Sequence, residues 1–438
     1  MHSLGRSSVY LRRLIVGFTI GLFFPTCASA QEISSALTLQ QAVEKALANH
    51  PEILAAAARV KGSAGLEMQA RLRPNPAFTF QTENWRFSDT PSFRAGQDLD
   101  IYAYLSQPIE LGGKRQRRME LSGKDAAQIE LERKGTEWKI RQEVKRAFLR
   151  ALQSQRDLEL AAAISKDFQE VIEYHRKRFE EGALAEADLI KVRLEGERLT
   201  LAESAVALED ERNHLDLLRA MGLQESRRTL QLVDSEGPAP STGNLEREQF
   251  FERARSNRWE VQAARLQVER ARSSLAMEKS LGSPDLNAIL GYKRTGGLDT
   301  LVAGIMVPLP FFHRNQGAIL QSGTEITRAQ ELLRSITIQV EAEVAQALSV
   351  LRRRFAMLQQ MQKGMVERAE QSWRIALAAY QEGGFDLVRL LDAQRSKNEV
   401  QLLYSRTSLE YRINLIDLES ALGEENLPVS EVFLSSKD

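Results

Sequence analysis

Tyr380–Gln394 reads YQEGGFDLVRLLDAQ and falls between two long helical patterns. Gly383-Gly384 marks the break. Glycine adopts the left-handed backbone that ends a helix, so the sequence predicts a sharp reversal here. Phe179–Arg193, FEEGALAEADLIKVR, has the same form. Setting Gly182 on Gly383 also sets Phe179 on Tyr380 and Leu189 on Leu390. One turn occurring twice, each time at the foot of a helical hairpin, points to an internal duplication.

The rest of the chain repeats in the same order. Asn49 opens NHPEILAAAARVKG and Asn257 opens NRWEVQAARLQVER, a spacing of 208 that also relates Pro76 to Pro284. Gln107-Pro108-Ile109 matches Val307-Pro308-Leu309, and Met221-Gly222 matches Leu422-Gly423. The sequence therefore divides into a first repeat over 31–223, a linker over 224–243 rich in Pro, Gly and Ser, a second repeat over 244–424 and a tail over 425–438. Each repeat starts with a short helix (Thr38 capping the first) and a medium helix. Two strand-like runs follow, then a very long helix, the turn, and a returning helix.

The long helices carry a narrow apolar seam. Val340, Val344, Ala347, Leu351, Phe355, Leu358, Met361 and Met365 advance by threes and fours, as do Val400, Leu403, Thr407, Tyr411, Leu415, Leu418 and Leu422. The other faces are polar, which suits antiparallel coiled-coil packing and not a globular core. Gly112–Gly182 would make roughly 105 Å of helix. The returning helix covers its lower half, and the medium helix could stack end to end above it.

Four runs read as β: strands at about 76–87, 98–108, 284–293 and 299–308. Leu99, Ile101, Ala103, Leu105 and Leu301, Ala303, Ile305, Val307 alternate. Trp85, Tyr102, Tyr104 and Tyr292 suit the edges of a membrane. Two soluble hairpins would give the same signal as tilted membrane strands of about 9–11 residues. Four strands cannot close alone, and membrane barrels start at about 8 strands; three copies would supply twelve. Pro108, Pro308 and Pro310 are expected to end the second strand of each pair.

The N-terminus has the form of a secretory signal. Arg6, Arg12 and Arg13 precede the apolar run Leu14–Phe24, and Ala28-Ser29-Ala30 is a small-residue cleavage site, so 1–30 is expected to be removed. The whole chain balances 59 Lys+Arg against 59 Asp+Glu. Loss of three arginines leaves it slightly acidic, which argues against a nucleic-acid binder. Cys27, the only cysteine, goes with the signal, so the mature chain forms no disulfide. No later segment is apolar for long enough to cross a bilayer as a helix, so any spanning part is β.

Together these residues resemble the TolC family of outer-membrane efflux channels. Thr38–Ile53 (TLQQAVEKALANHPEI), Gln107–Arg118 (QPIELGGKRQRR), the paired tip turns and the duplicated helix–strand–strand–helix order carry the likeness, over essentially all of the mature chain. The resemblance implies a mainly α fold with a small β part. It implies a homotrimer whose helices form an α-barrel through the periplasm and whose strands form one 12-stranded transmembrane barrel. It also implies a periplasmic adaptor, an inner-membrane pump of the resistance-nodulation-division type, outer-membrane lipid as surroundings, and no cofactor. The Pro-Ile-Glu-Leu-Gly-Gly-Lys-Arg junction is most similar to the branch that exports cobalt, zinc, cadmium, copper or silver.

By resemblance, Asp188 and Asp392 fall where the family has acidic pore-lining residues, and Tyr380 at a gating contact. Asp386 lies beside them. A trimer would make each carboxylate a ring of three that concentrates cations; ordinary helix-start charge explains the same residues. Arg389 stands where the best-known member has a second acid, and Phe385 where it has a basic gate residue. Phe179, Gly182, Leu184, Gly383, Gly384 and Leu390 are candidates for the adaptor-docking tip, or merely shape the turn. Lys114, Arg115, Arg117 and Arg118 suit lipid headgroups or a solvated helix start; they lack the spacing of a phosphate loop. Met357, Met361 and Met365 could form a thioether ladder, but a packed seam accounts for them better. The five histidines show no ligand spacing, and no catalytic constellation is present, so a channel is expected and not an enzyme. A protein-secretion channel of the same family is the near alternative, and a soluble periplasmic adaptor is the alternative of another class.

Overall fold

The computed structural model describes residues 36–85, 93–224, 230–234 and 247–425. The signal, Cys27, most of the linker and nearly all of the tail lie outside them. Thr38 caps α1 (Leu39–Asn49) in a reciprocal box with Gln41, satisfying two backbone donors that the helix leaves over. Pro51 then opens α2 (Pro51–Arg71), where its missing N–H costs nothing. β1 (Ala77–Glu83), the one-turn α3 (Ala95–Asp98) and β2 (Asp100–Ile109) follow. The 67-residue α4 (Lys114–Glu180) and α5 (Glu186–Ala220) form the first hairpin.

The later residues run in parallel order: α6 (Arg247–Asn257), α7 (Trp259–Leu281), β3 (Leu286–Thr295) and β4 (Leu298–Met306). α8 (Gln316–Gln360), α9 (Val366–Gln381) and α10 (Leu387–Leu422) complete the second hairpin. The expected single long helix is broken here. Met361–Met365 forms a π turn in which Gly364 has φ 145°. Ala163 stands 201 residues earlier, and α4 runs straight through it. Only glycine relaxes into the broken form cheaply.

The returning helices do meet the medium ones end to end. A Cβ on Gly222, just past α5, would lie 2.8 Å from His50 and Pro51 at the start of α2. One on Gly423, the αL cap of α10, would lie 3.1 Å from the backbone of Asn257 and Arg258 at the start of α7. Each junction is therefore a glycine against a helix start.

The seam prediction holds in part. Val340, Val344, Leu348, Leu351 and Leu358 pack with Tyr411, Leu418 and Leu422. Met361 is buried, but Met357 and Met365 are exposed, as is Leu403. The methionines therefore do not share one seam: Met357 lies on the outer face of α8, and the π turn shifts the phase of the helix between Met361 and Met365. Ion pairs join the hairpins elsewhere. Lys145 Nζ meets Glu419 at 2.8 Å, and Asp234 is gripped by Arg156 and, through both oxygens, by Arg412.

The four strands form one antiparallel sheet in the order β1-β2-β3-β4. β1 and β4 are its two edges. Pro108 does not end β2 but lies inside the ladder opposite Asn287. Proline lacks only the donor, and its carbonyl still accepts from Gln107 Nε2 at 2.9 Å.

Candidate functional site

Two regions stand apart from the packed helices: the tip and the sheet. At the tip, Gly182 and Gly383 have φ +75° and +78°. The N–H of Ala183 bonds back to Arg178 O, and that of Gly384 to Ala379 O, each at 2.8 Å. These bonds satisfy carbonyls that the helix ends would otherwise orphan. Asp386 then caps α10 by accepting from Arg389 N–H at 3.0 Å. Arg389 turns its guanidinium over the Phe385 ring at 5.2 Å.

Between the two turns lies a contact that the sequence did not reveal. His175 on α4 is 1 % exposed. Its Nδ1 is 2.7 Å from Val171 O and its Nε2 is 2.7 Å from the Tyr380 hydroxyl. A carbonyl only accepts, so Nδ1 carries the proton and Nε2 accepts from the Tyr380 O–H. The rings stack at 5.6 Å, and Arg178 approaches the same hydroxyl at 3.4 Å. Burial pushes the His175 pKa below its ordinary value, and nearby Arg178 adds to this; burial also pushes Tyr380 up. The imidazole is therefore neutral at pH 7. Phe168, Val192, Leu387 and Leu391 pack beside this pair. One level higher, Glu195 takes a two-nitrogen grip from Arg395, which holds its carboxyl below the usual range. A lone histidine inside a polar helix carries no spacing signal, and its partner lies 205 residues away.

The predicted pore residues fall around this contact. Asp188 is half-exposed in the first turn of α5 and pairs with Lys191 at 3.1 Å. Asp392 is exposed near Arg395, whose pKa is raised chiefly by its hydrogen bond to Glu195, with the Asp392 charge adding to it. Of the docking candidates, Phe179, Gly182, Gly383 and Gly384 are exposed and Leu184 is half-buried. Leu390 is 3 % exposed. Its side chain is part of the interior, so it does not belong to a docking surface.

The sheet has two unlike faces. Register places Phe78, Leu105, Leu290 and Ala303 in one row, and Phe80, Ala103, Tyr292 and Leu301 in the next. This face is apolar yet open: Leu301 is 78 % and Phe78 67 % exposed. The other face carries Gln81, Tyr102, Lys293 and Thr300 in one row. An exposed apolar face backed by a polar one is the pattern of a barrel wall between lipid and water. Tyr102 and Tyr104 lie on the polar face, with Lys293 over the Tyr102 ring at 5.4 Å. They are not membrane-edge anchors, because two-residue periodicity sends them away from Leu105. Trp85 is exposed just beyond β1.

The basic cluster after β2 is also spoken for. Lys114 is buried against Asp285 at 2.7 Å. Arg118 forks onto Glu110 and donates to Ala70 O and Leu72 O. Arg117 pairs with Glu120 at 2.8 Å, and Arg115 donates to Arg71 O. Lys114 and Arg118 fasten α4 to the segments that lead into β3 and out of β2, and a headgroup role for them would cost those pairs; the Arg117–Glu120 pair lies within α4 on its exposed surface.

Residues 42–223 and 251–424 match the family described as outer membrane efflux protein. The chain belongs to that family. It is an outer-membrane efflux channel with a large periplasmic part, and its family is one of channels, not enzymes. Among relatives, the cobalt-zinc-cadmium resistance protein CzcC of Cupriavidus metallidurans is 26 % identical over 413 residues, covering 90 % of this chain and 95 % of that one. The crystal structure of CusC superposes with a TM-score of 0.73 at 15 % identity, over 88 % of this chain and 92 % of that one. VceC from Vibrio cholerae superposes at 0.70 with 18 % identity, over 88 % and 96 %. These two likenesses concern the fold: long helices with a small sheet.

Proposed function

We propose that this efflux channel is the exit duct for heavy-metal cations in a three-part export system. The observation that carries the reading is the 26 % identity, across nearly the whole chain, to a protein named for cobalt, zinc and cadmium resistance. The duct assembles as a homotrimer built from two repeats per chain. Four strands with both edges unpaired among the described residues support this, since three copies make twelve strands and leave no edge. So does α5, where Ile190, Leu194, Leu201, Leu208 and Leu215 are exposed at steps of four and seven. That stripe has the spacing of a coiled-coil seam and stays uncovered among the described residues.

In this assembly the tips face a periplasmic adaptor, and the pump in the inner membrane supplies the energy. Asp188 and Asp392 become rings of three carboxylates at the aperture and raise the local cation concentration. Deleting the gene and challenging cells with cobalt, zinc, cadmium, copper and silver salts tests the cargo. Loss of tolerance to at least one metal is expected; unchanged metal tolerance with new drug sensitivity would assign the duct to organic cargo.

A further inference from the structure

The polar face of the sheet carries its charge at one end. β3 follows α7 and turns into β4 at Gly296-Gly297, so Thr295 and Leu298 mark the end of the sheet far from the helices. Nearest that end, the last row of the polar face with all four partners is Gln81, Tyr102, Lys293 and Thr300. Toward the helices the same face continues through Thr79 and Tyr104, Ser106 and Ile289, and Asn287 and Met306, and no further charged side chain stands in these rows. Arg294 and its cross-strand partner Asp299 belong to the opposite face.

Lys293 is half-buried, with its ammonium over the Tyr102 ring at 5.4 Å, and no carboxylate among the described residues pairs with it. The ring attracts the ammonium and keeps it at the wall. The acids of the polar face lie one row further out, at the rim. Asp100 is 7 % exposed and accepts from Asn84 Nδ2 at 2.9 Å and from the Gly296 N–H at 3.1 Å, so its charge is met by donors inside the wall. Glu83, opposite it, is exposed and accepts from Gln81 Nε2 at 2.6 Å. Twelve strands spaced by about 4.8 Å and tilted by about 40° close at a backbone radius of about 12 Å. Side chains pointing inward narrow this further. Every ion in the lumen then passes within about one Debye length of a Lys293, ~10 Å at 0.1 M salt.

We propose that Lys293, contributed by three copies, forms a cationic collar that sets the ion selectivity of the barrel section and draws small inorganic anions into it. The ligand class follows from the chemistry: an ammonium offers three donors and no acceptor, and the rows beneath hold no charge to oppose it. A section of this sign gives departing metal cations no site to bind and supplies their counter-ions. The proposal rests on the trimeric barrel, with the polar face turned to the lumen.

Reversal potentials in planar bilayers under a potassium chloride gradient test it, with the full chain carrying Lys293→Gln, Lys293→Glu or Thr300→Glu. Thr300 stands in the same row, so a carboxylate there adds charge to the same wall. Lys293→Gln is expected to raise the cation-over-anion permeability ratio several-fold, and Lys293→Glu to raise it further. A ratio that both Lys293 variants leave unchanged while Thr300→Glu raises it overturns the collar and leaves the barrel standing. A ratio unmoved by all three overturns the reading of the polar face as the lumen wall, and the collar with it. Lys293→Gln decides alone if Lys293→Glu does not assemble.

Discussion

At Gly182 and Gly383 nothing lies within 4 Å of where a Cβ would stand. Glycine is needed there for its backbone alone. Gly383→Ala is expected to cost about 1 kcal/mol, the usual penalty of a left-handed alanine, and Gly383→Asn less; urea unfolding checks both. The His175–Tyr380 contact makes two further predictions. Tyr380→Phe leaves the His175 Nε2 buried without its donor and should destabilise by about 1–3 kcal/mol. His175 has a folded pKa below its ordinary 6.5, so between those two values the unfolded chain binds more protons than the folded one. Stability is then full above pH 6.5 and falls as the pH drops below it. Thermal unfolding from pH 8 to pH 5 should show that slope, and His175→Phe should flatten it. The turn glycines were legible because backbone conformation is a local property. His175 was not, because its burial depends on a tyrosine 205 residues away.

Helices and strands were largely predictable from period, cap and proline. The exceptions are instructive. The π turn at Met361–Met365 breaks a continuous apolar pattern, which a residue count cannot detect. Pro108 stays in its strand because losing one donor does not bar pairing at a ladder's end. Gly291 has a role that packing alone reveals. Its Cβ would lie 2.3 Å from Tyr104 Cβ and 2.5 Å from Ala103 O. Gly291→Val should therefore force β2 and β3 apart, and the measured outcome would be loss of the assembled barrel from detergent extracts. Gly135 is the helical counterpart: the Trp259 ring fills the space of its missing side chain at 2.6 Å. Gly135→Ala should lower stability by about 1–3 kcal/mol through overpacking of α4 against α7.

At the scale of the whole molecule, the paired substitutions Asp188→Asn and Asp392→Asn test the aperture. Cation-over-anion selectivity of the purified pore, read from reversal potentials in planar bilayers, should fall several-fold. Unchanged selectivity would assign both carboxylates to ordinary helix-surface charge. The sequence by itself determined the two hairpins, the four strands and the membership that follows from their order, since periodicity and glycine placement are written locally. It also supplied the acids of the tip. Only the tertiary structure decided which side chains those elements turn inward. It buried Leu390, spent Lys114 on Asp285 and Arg118 on Glu110, and sent Tyr102 and Tyr104 to the polar face. It also joined His175 to Tyr380 and laid Lys293 over Tyr102. Burial and pairing depend on neighbours distant in the chain, and a linear pattern carries no record of them.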